Sequence, residues 1–137
     1  MERLRGMGRE LLLFLMGGMG YFCLELLWRG WSHWTMALVG GVCFRAVGRV
    51  SARLERDTPL LRRALAGALV ITAVELVSGC ILNLWLGLGI WDYSGLPGSV
   101  LGQICLPYTA LWCLLAVPVI RTDGYLRRRL RGRRGPA

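Results

Sequence analysis

The stretch ALAGALVITAVELVSGCILNLWLGLGI, residues 64–90, contains a single charged side chain, Glu75. A helix needs about 20 mostly apolar residues to cross the hydrocarbon core of a membrane, and this stretch is long enough to do so with some tilt. A soluble helical bundle would show polar residues every three or four positions, and most of this stretch lacks them. The stretch therefore predicts a transmembrane helix with a carboxyl group near its middle.

Three more apolar segments, residues 10–28, 34–50 and 99–120, predict further transmembrane helices. Hydrophobic residues make up 55% of the 137-residue chain, which is high for a soluble domain of this size. We expect the first segment to be a retained helix rather than a signal peptide, because no small-residue cleavage site follows it. The predicted fold is all-α. It is a four-helix transmembrane bundle over residues 10–120, with a basic N-terminal segment 1–9 and a basic tail 121–137.

All 17 basic residues are arginines, and the formal charge is +9. They concentrate in residues 1–9, 49–63 and 121–137, whereas the other two connections contain only Arg29. Because arginine-rich short loops stay in the cytoplasm, we predict a multi-pass membrane protein with both termini inside. The tail is expected to contact anionic lipid of the bilayer. The long apolar runs between the clusters argue against a nucleic-acid partner.

Tryptophans favour the membrane–water interface, and five of them fall near the predicted outer ends of helices. The five are Trp28, Trp31, Trp34, Trp85 and Trp91.

In the third predicted helix, Thr72, Glu75, Gly79, Asn83 and Gly87 recur at steps of three or four and form one stripe. Glycine lets a neighbouring backbone approach closely, and the polar side chains supply hydrogen bonds at the contact. An ionised group in hydrocarbon costs about 2.5–3.5 kcal/mol on insertion scales, so this stripe is expected to face the interior of the bundle.

Each of the other predicted helices has a similar small-and-polar face, and we expect the four faces to meet. In the first helix Glu25 precedes Arg29 by four residues, which favours an ion pair. Gln103 lies on the face of the fourth helix, which we expect Pro107 to bend. Arg45 is expected to snorkel towards the cytoplasm rather than reach Glu75.

The candidate site combines these polar residues with the outer connection between helices 3 and 4, where we expect Asp92 to contact Arg29. Its members are Glu25, Arg29, His33, Glu75, Asn83, Asp92, Tyr93 and Gln103. The candidate helix-packing glycines are Gly18, Gly41, Gly79 and Gly87.

No cofactor or metal is predicted. The five cysteines lie inside apolar segments without a C-x-x-C pair, and His33 is the only histidine. Cysteines in such positions usually act as small apolar residues. An enzyme using His33, Asp92, Tyr93 and Ser94 at the outer surface is a weaker alternative, because one histidine without a fixed partner spacing is poor support for catalysis. We therefore expect a protein that is not an enzyme.

Several motifs resemble a bacterial membrane-protein family called putative ABC-transporter type IV. They are Gly20 with Glu25, S-H-x-x-M-x-x-x-G-G at 32–41, E-x-x-x-G-x-x-x-N at 75–83, W-D-Y-S at 91–94, and G-x-I-C at 102–105 followed by Trp112. The resemblance covers most of residues 17–112, with Ser99 standing where the pattern leads us to expect asparagine.

The resemblance implies an inner-membrane location and a role in transport, without naming a substrate. The chain has no G-x-x-x-x-G-K-[ST] loop, so it does not bind ATP in the manner of that motif. Two functions remain open. One is a small permease-like transporter whose embedded carboxylates bind protons or cations. The other is a structural or accessory subunit of a larger membrane complex, with no transport of its own. The expected protein partner is a second copy of the chain or an unidentified membrane protein.

Overall fold

The computed structural model describes residues 2–55 and 57–132, and within them the chain forms four α-helices and no strand. The helices are α1 (Glu2–Arg29), α2 (Trp34–Arg53), α3 (Leu60–Gly79) and α4 (Leu106–Gly132). A π-helical segment, Cys80–Trp85, continues α3. The predicted all-α fold is confirmed. Arg56 and the end of the basic tail, residues 133–137, lie outside the described residues.

Two helical segments, Glu2–Arg29 and Leu60–Trp85, are long and apolar enough to cross a membrane. Large apolar side chains such as Leu11, Leu69 and Val77 are exposed on their surfaces. Soluble monomers rarely expose so much contiguous apolar surface. The outer faces of these helices are therefore typical of a membrane protein.

Two glycines allow α1 and α2 to pack closely along their length. A Cβ atom at Gly18 would overlap the carbonyl oxygen of Ala37, and one at Gly41 would lie 2.8 Å from the carbonyl oxygen of Phe14. The backbones therefore touch where the sequence predicts small residues at a helix contact.

The substitution Gly18→Ala is expected to lower the free energy of unfolding by about 1–3 kcal/mol, because the added methyl group must push α2 away. Gly20→Ala is the matched control, since no atom lies within 4 Å of a Cβ built there. It should be neutral or slightly stabilising, because alanine favours a helix more than glycine does. Thermal unfolding in detergent compares the two variants. Equal midpoints would contradict the close α1–α2 approach.

The other half of the bundle packs α2, α3 and α4 around a core of Val47, Ala68, Ile71 and Trp112. The Thr72 and Thr109 hydroxyls lie 3.3 Å apart and bridge α3 to α4. In contrast, α1 and α4 barely touch each other.

The connection 86–105 differs from the prediction, which placed helix 3 up to residue 90 and began helix 4 at residue 99. Positive φ angles at Gly87 and Gly89 end the helix after the π-helical segment, and those at Gly98 and Gly102 keep the chain irregular before α4. The prediction extended the helices across this stretch because its composition is apolar, and composition does not reveal the backbone φ angles.

Two predictions about single residues in this region are corrected. Gly87 has no atom within 4 Å of a Cβ built on it, so it stops a helix rather than packing against one. Pro107 lies in the first turn of α4, where a missing N–H costs nothing, so it does not bend the helix.

The helices also extend beyond the predicted ends at the basic side of the bundle. Residues 2–9 belong to α1, and α4 continues to Gly132. Arginine is a good helix former, and Asp123 pairs with Arg127 four residues later on α4. The two basic segments are thus continuous with the bundle as far as the structure describes them.

Candidate functional site

A cleft of about 600 Å³ lies between α1, α2 and α4, with α3 at its base. Its opening follows from the weak contact between α1 and α4, since residues on both of these helices line it and remain exposed. These exposed lining residues are Met16, Gly20 and Leu24 on α1 and Leu111 and Pro118 on α4. We call this space the lateral cleft, because it opens along the length of the helices.

Glu75 lies at the base of the lateral cleft, midway along the bundle, and is 7% exposed. The indole Nε1–H of Trp112 donates a 2.6 Å hydrogen bond to its Oε2 atom, and the Tyr93 hydroxyl lies beside the same carboxyl group. Among the residues that the structure describes, no arginine or histidine pairs with it. Glu75 is therefore a buried acid whose two polar partners, Trp112 and Tyr93, are neutral.

Glu25 also lines the lateral cleft, but its charge is balanced. Arg29 donates a 2.6 Å hydrogen bond to Oε2, Ser32 donates to the same oxygen, and the Tyr21 hydroxyl donates to Oε1. The predicted Glu25–Arg29 pair is present, and Arg29 also donates to the carbonyl oxygen of Ile90 at 2.8 Å. This ion pair therefore joins the end of α1 to the connection 86–105.

Asn83 and Gln103 hold the connection against the π-helical segment. Asn83 accepts a 2.7 Å hydrogen bond from the Ile90 amide and donates one of 2.8 Å to Gln103 Oε1. Gln103 is buried in the connection rather than on helix 4. Gly79 allows its approach, because a Cβ at that glycine would lie 2.5 Å from Gln103 Oε1.

Asn83→Ala is expected to destabilise the protein by about 1–3 kcal/mol, because the Ile90 amide and the Gln103 side chain lose their partner. In a double-mutant cycle with Gln103→Ala, the combined loss should be clearly smaller than the sum of the single losses. Thermal unfolding of the four proteins in one detergent supplies the cycle. Additive losses would show that the two side chains act independently.

Asp92 does not make the predicted contact with Arg29. Its carboxylate is exposed and accepts hydrogen bonds from the hydroxyl and the amide of Ser94, and these bonds hold its pKa below the usual range. The two terminal nitrogens of Arg29 instead donate to Glu25 and to the backbone carbonyl oxygen of Ile90. Because a depressed pKa means that the folded state prefers the ionised form, acidification weakens this turn.

His33, Tyr93 and Trp91 also have separate partners. His33 caps α2 by accepting a hydrogen bond from the Thr35 amide through Nδ1. Tyr93 faces Glu75, while Asp92 and Ser94 are exposed and contact each other. Trp91, predicted at the membrane interface, is instead buried within the protein. Its Nε1–H donates a 3.1 Å hydrogen bond to the backbone carbonyl oxygen of Gln103, so the buried indole has a polar partner.

Sequence reasoning missed a cluster of charges at the opposite end of the bundle. Arg45 binds both carboxylate oxygens of Glu10 at 2.8 Å and donates to Asp123 at 2.7 Å, and Arg127 lies 2.6 Å from Asp123. Arg49 donates to Glu10 from a more exposed position. This cluster, which we call the ion latch, joins α1, α2 and α4. The signal in the sequence was weak: Glu10 borders the basic N-terminal segment, and Asp123 lies in the basic tail.

Residues 11–127 match a protein family described as Putative ABC-transporter type IV. Comparisons with curated proteins and with solved structures gave no match. The match begins inside α1 and ends inside α4, and it spans the residues that line the lateral cleft. It therefore includes Glu75, the ion pair at Glu25 and most of the ion latch. The chain belongs to the Putative ABC-transporter type IV family.

Proposed function

We propose that the chain is a small permease-like protein of the bacterial inner membrane, in which Glu75 exchanges a proton for a cation within the lateral cleft. The observation that carries this proposal is a buried carboxyl group without a paired cation, facing a cleft. An isolated ionised carboxylate is costly in an apolar environment. The group is stable there either when it is protonated or when a cation from outside lies beside it.

The proposal includes four membrane spans with both termini in the cytoplasm. A span requires about 30 Å, which 20 helical residues supply, and the two shortest of the four helices, α2 and α3, each have 20 residues. The ion latch and the arginine-rich ends of α1 and α4 lie at one end of the bundle. Exposed Trp28, Trp34 and Trp85 lie at the other, as expected at an outer interface.

Protease accessibility tests this topology. A cleavable tag inserted at Gly95, which is exposed and contacts nothing within 4 Å of its Cβ position, is expected to be cut in intact spheroplasts. The same tag after the last residue should be cut only after lysis. Cleavage of the C-terminal tag in intact cells would contradict the arrangement with both termini inside.

Flux in liposomes tests the exchange. Protein reconstituted with an entrapped pH dye is expected to move protons when a gradient of sodium, potassium or an organic ammonium ion is imposed. The substitution Glu75→Gln should abolish that movement, while Asp92→Asn, which makes the same chemical change outside the cleft, should keep it. Proton movement that is unchanged by Glu75→Gln would overturn the proposal.

A second candidate function is supported by the side opening of the lateral cleft, where apolar residues of α1 and α4 are exposed. A transmembrane helix of another subunit, or of a second copy, would fit such an opening, and the chain would then act as an accessory subunit. Recovery of a stoichiometric partner in mild detergent, together with no flux from the isolated chain, would favour this function.

A further inference from the structure

The lateral cleft has the chemistry of a site for an apolar organic cation, and this inference rests on the proposed function. The wall around Glu75 is aromatic. Tyr21 and Trp112 have ring centroids 6.3 Å apart, those of Tyr108 and Trp112 are 5.9 Å apart, and Tyr93 stacks on Tyr108 at 4.6 Å. All four rings line the cleft. Aromatic rings attract cations through their electron-rich faces, and the attraction is strongest where water is excluded.

Most of the remaining lining is apolar and includes Met16, Leu24 and Leu115, while Glu25 and Arg29, which also line the cleft, balance each other's charge. The apolar side chains stabilise a ligand by removing apolar surface from water. The volume of about 600 Å³ is that of a small-molecule site and exceeds what a bare ion would fill. The ligand therefore needs an apolar body as well as a positive charge.

An inorganic cation is disfavoured by the small number of available oxygens. Calcium takes six to eight oxygen ligands, and magnesium six in an octahedron. The described residues contain no group of three or more His, Cys, Asp or Glu side chains that could hold a metal, and Glu25 is already engaged by Arg29. An organic cation keeps no tightly held shell of water, so one carboxylate and aromatic faces are enough for it.

The route into the cleft also fits this class of ligand. Because α1 and α4 barely touch, the cleft opens sideways between helices whose outer faces are apolar. A molecule dissolved in the lipid could reach Glu75 without crossing an aqueous vestibule.

We propose that the lateral cleft binds lipophilic organic cations, with Glu75 as the counter-charge and Tyr21, Tyr93, Tyr108 and Trp112 as the aromatic wall. Cation and proton compete for the same carboxyl group, so binding of one releases the other. The ligand is not changed chemically.

Equilibrium binding to the purified full chain in detergent tests this, with protein-free micelles as the blank. The probes are tetraphenylphosphonium, the anion tetraphenylborate of nearly the same shape, and the neutral triphenylphosphine oxide. Tetraphenylphosphonium is expected to bind saturably and at least about tenfold more tightly than either of the others, since a charged contact is worth that much. Equal binding of cation and anion to the unmodified protein would overturn the proposal without any variant.

Variants locate the site. Glu75→Gln should weaken tetraphenylphosphonium binding by about tenfold or more, and Asp92→Asn should leave it unchanged. Tyr108→Leu removes a ring that does not contact Glu75 directly and should weaken binding by roughly threefold or more, while Tyr108→Phe should restore most of it. If the tetraphenylphosphonium affinity is unchanged by both Glu75→Gln and Tyr108→Leu, the ligand binds elsewhere and the proposal is overturned.

The binding experiment and the flux experiment can give opposite results, and each result tests a different claim. If sodium gradients drive a proton movement that depends on Glu75 but tetraphenylphosphonium does not bind, the substrate class is wrong and the proposed function stands. If tetraphenylphosphonium binds in a Glu75-dependent manner but no gradient moves protons, the site is confirmed and the transport function is overturned.

Discussion

Asp123→Ala is expected to lower the free energy of unfolding by about 3–5 kcal/mol, the cost of removing one member of a buried charge cluster. Asp123 is completely buried and lies 2.7 Å from Arg45 and 2.6 Å from Arg127. A Cβ at Gly48 would lie 2.5 Å from the Asp123 carboxyl carbon, so this carboxylate packs directly on the backbone of α2. Its removal therefore leaves Arg127 without this carboxylate, Arg45 with Glu10 alone, and a void at the junction of α2 and α4.

The exposed acid Asp57 in the connection between α2 and α3 provides the matched control, and Asp57→Ala should change stability by less than about 0.5 kcal/mol. Unfolding in mixed micelles, followed by tryptophan fluorescence, measures both variants. Similar midpoints for Asp123→Ala and Asp57→Ala would show that the ion latch does not stabilise the bundle.

Glu75→Gln is expected to have the largest effect on function, reducing cation-driven proton movement to the rate of protein-free liposomes. Glutamine can still accept the hydrogen bond from Trp112, so the local packing should survive, but it cannot bind or release the proton. The folded state is checked by gel filtration and by an unfolding midpoint close to that of the wild-type protein.

Asp92→Asn tests whether flux requires a carboxylate inside the lateral cleft or any carboxylate in the protein, because Asp92 is exposed outside the cleft. It should retain full flux. Loss of flux in both variants would point to a general electrostatic effect, and loss in Asp92→Asn alone would move the site to the connection 86–105.

The sequence was sufficient to predict the helices and the Glu25–Arg29 pair, because these depend on local composition and spacing. Apolar length predicts a helix wherever it occurs, and residues four apart on one helix meet without help from the rest of the fold. Glu75 was recognised as a candidate for the same reason, since a lone acid in an apolar helix is visible as a pattern.

The hydrogen-bond partners of Glu75 and the members of the ion latch could not be predicted from the sequence, because they come from residues far apart along the chain. Trp112 lies 37 positions from Glu75, and Asp123 lies 78 positions from Arg45. Which residues meet over such distances is set by the rotation of each helix about its axis and by its starting residue. The prediction placed the start of helix 4 at residue 99 rather than at Leu106, which changes both.

Arg29 shows a further limit of reasoning from charge alone. Asp92 was the acid available in the predicted outer connection, but the guanidinium binds Glu25 and the backbone carbonyl oxygen of Ile90 instead. Backbone acceptors occur at every residue and leave no mark in the sequence.

Labelling with the apolar reagent dicyclohexylcarbodiimide tests the central claim most directly, that Glu75 is an unpaired and protonatable acid in a cleft open to lipid. The reagent attacks protonated carboxyl groups in apolar surroundings, and peptide mass spectrometry locates the adduct. We predict an adduct on Glu75 that forms faster as the pH falls and is slowed by tetraphenylphosphonium. Glu25, which is paired with Arg29, should remain unmodified. An unmodified Glu75, or an adduct on Glu25 in its place, would contradict this account of the site.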